Sequence, residues 1–230
     1  MSKIINEGIC RFCMQTFSGR SISRHLISCK AKKARDENSA ASAKKTHDIF
    51  HLKLESYKPY WLHIEMKAAA RLSELDDFLR RIWLECCGHL SEFTIDGMRY
   101  SDSGDDGWGP EPESLKTPLK NVLGAKSRFG YEYDFGSTTQ VVGTVVALRN
   151  GVLSKPVEIL ARNSPPTYPC ENCDAPATQF CCECETLICD NCLAQHECDE
   201  EMLLPVVNSP RFGVCGYCGE SDTDDFLIRK

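Results

Sequence analysis

The chain has 230 residues, of which 42% are hydrophobic, enough for one or two domains with a packed core. It carries 27 basic and 33 acidic residues, and this mild acidic excess excludes a protein that binds polyanions over its whole surface. The charge is unevenly spread, because residues 1–47 hold ten Lys and Arg against three Asp and Glu, whereas the remainder is strongly acidic. We therefore expect any contact with phosphate groups to be made by the N-terminal part.

The chain also holds 15 cysteines. Its first residues do not lead into an apolar segment of signal-peptide length, and no apolar run approaches the roughly 20 residues that span a bilayer. We therefore expect a cytoplasmic protein without a membrane partner. In that reducing compartment, clustered C-x-x-C pairs indicate metal sites rather than disulfides.

A first group of metal-ligand residues lies near the N-terminus. Its members are Cys10, Cys13, His25 and Cys29, with the apolar residues Phe17 and Ile22 between them. Since so short a unit has no sizeable core, a metal ion must supply its folding free energy. The pattern resembles a C2H2-type zinc finger with Cys as the last ligand (CCHC), a ββα unit that has apolar residues at these two places. We expect one zinc ion here, in a finger spanning residues 1–30.

Basic residues accompany this finger and the stretch 31–47, which is rich in Ala, Lys and Ser and is predicted to be a basic linker. The candidates for nucleic-acid contacts are Arg20, Arg24, Lys30, Lys32, Lys33 and Arg35. If the helix reads bases as in related fingers, Ser18, Ser21 and Arg24 face them, and only Arg24 suits base recognition. One finger covers about three base pairs, too few for sequence specificity alone. The finger therefore either neutralises phosphates of DNA or RNA, or is a protein-binding or structural unit with a solvated basic face.

The central domain, residues 48–163, has the pattern of a mixed helix and strand fold. Residues 61–66 alternate between apolar and polar and predict a half-buried strand. Ser73-Glu74-Leu75-Asp76 has the form of a capping box, and apolar residues at helical spacing from Leu75 to Cys86 predict an amphipathic helix that ends at Gly88. Further strands are predicted at 93–95, 98–100, 131–135, 141–148 and 157–161. We expect an α+β fold with an antiparallel or mixed sheet and one main amphipathic helix, flanked by small zinc-stabilised modules.

Four stretches of this domain resemble a known family. They are Trp61, the helix over 72–83, His89-Leu90-Ser91-Glu92-Phe93-Thr94-Ile95, and Tyr131-Glu132-Tyr133-Asp134-Phe135-Gly136. Together they make residues 50–160 similar to the plasmid pRiA4b ORF-3-like domain, a family also described as insertion-element passenger proteins. Its members follow the glycine with Asp, Trp and His, whereas this chain has Ser137-Thr138-Thr139-Gln140. The resemblance implies a fold and a link to mobile elements, and it implies no reaction.

The cysteine density is highest between Cys170 and Cys198, in a C-terminal module of residues 164–230. The stretch reads C-x2-C-x7-C-x2-C-x4-C-x2-C-x3-H. A two-residue spacer lets two thiolates reach one metal ion at about 2.3 Å, so three such pairs and a His come close to two tetrahedral sites. The candidate ligands are Cys170, Cys173, Cys181, Cys184, Cys189, Cys192, His196 and Cys198.

The same spacing resembles a B-box zinc finger, whose ligands are shared between two ions in a cross-brace. The resemblance implies that the first and third pairs, Cys170 and Cys173 with Cys189 and Cys192, hold one zinc ion. The second pair, Cys181 and Cys184, would hold the other with His196 and a last ligand, for which Cys198 is the nearest candidate. A later pair, Cys215 and Cys218, competes with His196 and Cys198 for this second site, and the sequence leaves that alternative open.

The sequence thus predicts three zinc ions and a non-enzymatic binding protein. No Walker, Rossmann, G-x-S-x-G or H-E-x-x-H pattern occurs in it. Three functions remain in competition: DNA or RNA binding by the basic N-terminal part, protein interaction through the acidic body and zinc modules, and an uncharacterised reaction in the central domain. The charge split favours the first of these, and the lack of base-reading residues favours the second.

Overall fold

The computed structural model describes residues 6–104 and 110–219 of the chain. The strands are β1 Glu7–Cys10, β2 Thr16–Ser18, β3 His47–Glu55, β4 Trp61–Lys67, β5 Ser91–Ile95, β6 Met98–Tyr100, β7 Arg128–Tyr133, β8 Thr139–Gly151, β9 Val157–Asn163, β10 Gln179–Cys181, β11 Leu187–Ile188 and β12 Leu203–Pro205. The α-helices are α1 Ile22–Ser28, α2 Lys30–Ala41, α3 Leu72–Leu79, α4 Leu119–Val122 and α5 Asp190–Leu193. A π-helical turn, Arg80–Leu84, continues α3, and a 3-10 turn covers Glu200–Met202.

Nine of these strands form one antiparallel sheet in the order β2-β1-β9-β4-β3-β8-β7-β5-β6. Strands β11, β10 and β12 form a second, small sheet. The predicted α+β class is confirmed, and every strand pair of the large sheet is antiparallel. Strand β3 was not predicted, because its apolar and polar residues do not alternate strictly; it pairs with β4 along its length and lies at the centre of the sheet.

The helix of the central domain differs from its prediction at both ends. It is capped at Arg71 rather than Ser73, since the backbone N–H of Arg71 donates to the Glu74 carboxylate over 2.8 Å. At the other end it widens into the π-helical turn, which the N–H of Glu85 closes on the carbonyl of Arg80. The chain therefore leaves the helix before Cys86, and the following residues form a loop at the surface.

One face of the large sheet carries the main core. Helix α3 and the π-helical turn pack against it, and Phe78, Trp83, Phe93 and Tyr131 are buried there. This is the layer of apolar side chains that the helical periodicity predicted.

The opposite face is covered over β4 and β9 by the N-terminal elements. Strand β1 pairs with β9, and Ile22 and Leu26 of α1 pack against Trp61 and Leu160 of the sheet. The prediction of a half-buried β4 was therefore wrong, because the side chains on its second face are buried beneath α1 and α2 instead of facing water. Those side chains are Trp61, His63 and Glu65.

Candidate metal centres

The N-terminal ligand residues lie together at the junction of β1 and α1. The ligand atoms of Cys10, Cys13, His25 and Cys29 all lie within 4.8 Å of one another. The sulfurs of Cys10 and Cys29 are 3.9 Å apart, and the sulfur of Cys13 is 3.3 Å from Nε2 of His25. Ligands on a tetrahedral zinc ion are about 3.5–3.8 Å apart, given bond lengths of about 2.3 Å to sulfur and 2.0–2.1 Å to nitrogen. Burial raises the pKa of the Cys10 thiol to about 11, so its thiolate needs a cation beside it at neutral pH.

Local packing fixes these ligands. The ring of Phe17 stacks on that of His25 with centroids 3.8 Å apart. Cys29 is not on a continuous helix with His25, because its extended backbone separates α1 from α2. The kink turns its sulfur back towards Cys10.

The six predicted nucleic-acid contacts divide into two classes. Lys32 is buried, with Nζ 2.8 Å from Glu65 and 2.7 Å from Asp36. Arg35 is half-buried and pairs with Glu158 at 2.7 Å. Both cations are therefore used to hold α2 on the sheet, and only the other four remain at the surface: Arg20, Arg24, Lys30 and Lys33.

The C-terminal ligands form two interleaved groups. The ligand atoms of Cys170, Cys173, Cys189 and Cys192 lie within 4.8 Å of one another, and those of Cys181, Cys184, His196 and Cys198 form a second such group. The sulfur of Cys173 is 3.5 Å from those of both Cys189 and Cys192, and the sulfur of Cys184 is 3.9 Å from Nε2 of His196. The first C-x-x-C pair thus shares a group with the third pair, although the second pair lies between them in the sequence. This is the arrangement of a cross-brace.

The first C-x-x-C pair of the N-terminal group and of each C-terminal group has the same backbone turn. The residue after the second cysteine has a positive φ in all three: Met14 at 57°, Asp174 at 59° and Glu185 at 55°. The N–H of the first cysteine also donates to the carbonyl of the residue five positions later, at 3.0, 2.6 and 3.0 Å. These turns point both sulfurs of a pair to the same side, so each pair presents half a tetrahedral site.

The competing pair of cysteines separates in the structure. Cys215 is not with Cys181 and Cys184; its sulfur lies in a fourth group with Cys86, Cys87 and His89. Cys218 belongs to no metal-ligand group of the described residues, and its sulfur contacts the carbonyl of Gly216. The sequence analysis missed this fourth group, because adjacent cysteines do not have the C-x-x-C spacing and their partner is far along the chain.

The described residues define an α+β protein with one large antiparallel sheet and four Cys/His groups that can hold metal ions. The model of the plasmid pRiA4b ORF-3-like protein family matches residues 49–173, which is more than half of the chain. The chain belongs to this family.

Among solved structures, a protein of unknown function from Methanosarcina mazei Go1 is similar to the chain. The sequences are 22% identical, the match covers 59% of this chain and 70% of that one, and the TM-score is 0.39. No curated protein matches the sequence. Among the described residues, no helix has the length and apolar character needed to cross a membrane.

Proposed function

We propose that the chain is a non-enzymatic, zinc-stabilised binding protein that contacts the phosphate backbone of DNA or RNA through its N-terminal finger. The zinc fingers are a CCHC unit at the N-terminus and a B-box-like module at the C-terminus. The observation that carries the proposal is that each predicted metal site has four protein ligands and that the N-terminal one lies beside an exposed basic surface.

Four protein ligands argue for structural zinc. A catalytic zinc ion keeps one position open for water or substrate, whereas a structural one is closed by four protein side chains. The N-terminal group and both C-terminal groups supply four ligand atoms each. Three thiolates with one imidazole, or four thiolates, are also the soft ligand sets that zinc prefers.

The basic surface supports a polyanionic partner. Arg20, Arg24, Lys30 and Lys33 are exposed around α1 and the start of α2. The finger is fastened to the sheet through Ile22 and Leu26, so α1 presents Arg24 outward from a fixed support. Ser18 and Ser21, which would face bases in a reading finger, bond to each other over 2.9 Å. The surface is therefore suited to phosphates rather than to base sequence.

Binding of the full chain to a short labelled duplex DNA, and to an RNA of the same length, tests the proposal. Fluorescence anisotropy would give the affinity at several salt concentrations. A variant with Arg20, Arg24, Lys30 and Lys33 replaced by Gln should bind more weakly. Its logarithmic salt dependence on the duplex should become shallower by about 0.9 for each phosphate that the variant no longer neutralises.

The matched control replaces four other exposed lysines by Gln: Lys58, Lys116, Lys120 and Lys126. It changes the net charge equally and should retain the affinity and the slope. Equal weakening in both variants, or no binding of either probe by the unmodified chain at low salt, would contradict the proposal. The latter result would leave a protein partner as the alternative.

A further inference from the structure

The fourth group lies where the loop after the π-helical turn meets the C-terminal part of the chain. Cys86, Cys87 and His89 come from the loop, and Cys215 comes from a segment more than 120 residues later. Gly88 has a φ of +77°, a conformation that returns the chain so that His89 faces the two cysteines. The four ligand atoms lie within 4.8 Å of one another.

The sulfur–sulfur distances in this group match those of the predicted groups, which range from 3.5 to 3.9 Å. The sulfur of Cys87 is 3.8 Å from that of Cys86 and 3.7 Å from that of Cys215. These values are close to the edge of about 3.8 Å for a tetrahedron with 2.3 Å bonds, and far above the roughly 2.05 Å of a disulfide. Nε2 of His89 is 3.0 Å from the sulfur of Cys87 and 3.2 Å from that of Cys215, and both distances are shorter than the 3.3 and 3.9 Å between sulfur and nitrogen in the predicted groups.

A second layer of residues orients the ligands. Nδ1 of His89, the ring nitrogen directed away from the sulfurs, lies 3.5 Å from Oδ1 of Asp134. The N–H groups of Gly136 and Ser137 donate to the same oxygen, and Nη2 of Arg211 donates to the other carboxylate oxygen of Asp134. A carboxylate behind the second nitrogen of a histidine is the usual outer partner of a metal-bound imidazole. Asp134 is the aspartate of the family hexapeptide, so this partner lies in the part of the chain that marks the family.

The C-terminal segment is held at the same place by polar contacts. Arg211 is fully buried and donates from Nη1 to the carbonyl of Ser137 over 2.6 Å, and its Nη2 lies 3.6 Å from the sulfur of Cys86. The hydroxyl of Ser209 donates to the carbonyl of Trp83. The segment therefore brings one ligand, Cys215, together with a guanidinium group that lies beside the sulfur of another ligand, Cys86.

We propose that Cys86, Cys87, His89 and Cys215 bind a fourth zinc ion, which fastens residues 209–217 to the central sheet. Three thiolates and one imidazole form a closed tetrahedral set that suits zinc. The three predicted ions each stabilise a local unit, whereas this ion joins two distant parts of the chain. The inference thus goes beyond the proposed function and does not depend on nucleic-acid binding.

Elemental analysis of the full chain, purified without chelator, tests the assignment. The unmodified chain should hold four zinc ions. Cys215→Ser and Cys87→Ser should each hold three, whereas Cys218→Ser, three residues from Cys215, should hold four. Limited proteolysis should cut the segment 209–217 faster in Cys215→Ser than in Cys218→Ser, since only the former loses the ion that fastens it.

A conservative replacement separates ligation from packing. His89→Cys should keep four zinc ions, because a fourth thiolate can complete the set, and its cobalt-substituted form should show a stronger sulfur-to-cobalt charge-transfer band. Three ions in the unmodified chain, or an unchanged count in either Cys215→Ser or Cys87→Ser, would overturn the proposal and leave the other three sites untouched. Should Cys215→Ser fail to fold, the count in Cys87→Ser decides.

Discussion

The N-terminal finger shares its apolar core with the nine-stranded sheet, whereas the C-terminal module is built around its own three-stranded sheet. In the finger, Ile22 and Leu26 are buried against Trp61 and Leu160. Between residues 170 and 205, the buried apolar side chains other than cysteine are Ala177, Ile188 and Leu204. The two regions thus use similar ligands and the same backbone turn with very different apolar support.

This difference determines how each region should respond to loss of metal. Ile188 and Leu204, at about 1.5–3 kcal/mol each, and the smaller Ala177 cannot offset the conformational entropy of residues 170–205 of the module. On the proposed zinc assignment, the module therefore takes its folding free energy from its metal ions. The finger also gains from strand pairing and from burial against the sheet, so its contacts contribute to the stability of the whole central domain.

The largest effect is expected where the support is weakest. Cys173→Ser removes a ligand that touches both Cys189 and Cys192, and the cross-brace ties the two C-terminal sites together. Structural zinc contributes on the order of 10 kcal/mol to folding in zinc-finger peptides, far more than this module can lose. We expect both C-terminal ions to be released and the module to unfold, while the N-terminal ion stays bound.

Metal content and proteolysis of the full chain would measure this effect. Cys182→Ser is the matched control, because Cys182 lies between two ligand cysteines and belongs to no ligand group of the described residues. Loss of a single ion from Cys173→Ser, with Cys181 and Cys184 still metal-bound, would show that the two sites fold independently.

A smaller effect is expected where the finger joins the sheet. A Cβ atom at Gly8 would overlap the carbonyl oxygen of Arg162 and the ring of Trp61. Gly8→Ala should therefore push β1 away from β9 and lower the free energy of unfolding by about 1–3 kcal/mol, the usual cost of overpacking. The finger should keep its ion, since its four ligands lie close together in the chain. Urea unfolding and metal content would measure both results.

Gly124→Ala is the control for this substitution, because the nearest atom to its added Cβ is 3.8 Å away. Its stability should stay close to that of the unmodified chain. If Gly8→Ala were as stable as Gly124→Ala, the finger would not depend on the sheet as the structure indicates.

The sequence could reveal those sites whose ligands are close along the chain. The C-x-x-C pairs and the Cys and His residues near them predicted twelve candidate ligands, and the resemblance to C2H2-type and B-box fingers implied how they are grouped. The structure brings them together in the same three sets of four. The fourth group has adjacent cysteines and a partner more than 120 residues away, so no local spacing could indicate it. The available signals were the adjacent Cys86 and Cys87 near His89, and Cys215, for which the sequence offered a competing role.

Tertiary contacts account for the other differences. The alternation in β4 correctly showed two faces, and the sequence could not show that α1 and α2 cover the second one. Lys32 and Arg35 were predicted to contact nucleic acid because their charge is visible in the sequence. Their acidic partners, Glu65 and Glu158, lie on distant strands and become neighbours only when the sheet has formed.

The smallest effect concerns a histidine pair under the finger. Nε2 of His51 is 2.8 Å from Nδ1 of His63, whose Nε2 is 3.3 Å from the hydroxyl of Ser23 in α1. Burial lowers the pKa of His51 to about 4 and that of His63 well below its ordinary value. Glu65 faces the pair, but it is already paired with Lys32 and Arg149, whose charges lower the pKa of His51 further.

The folded chain therefore keeps both rings neutral, while the unfolded chain takes up protons below about pH 6.5. The stability from this pair is fully present above that pH and declines as the pH falls towards 4. His51→Gln removes one titrating group, so between pH 6.5 and 5.5 it should lose about 1 kcal/mol less stability than the unmodified chain. Urea unfolding at both pH values in excess zinc would measure this difference, and acid loss of metal affects both proteins alike.

His47→Gln, a half-buried histidine at the start of β3, should follow the unmodified chain. Parallel curves for His51→Gln and the unmodified chain would mean that the ring beneath the finger takes up its proton in the folded state.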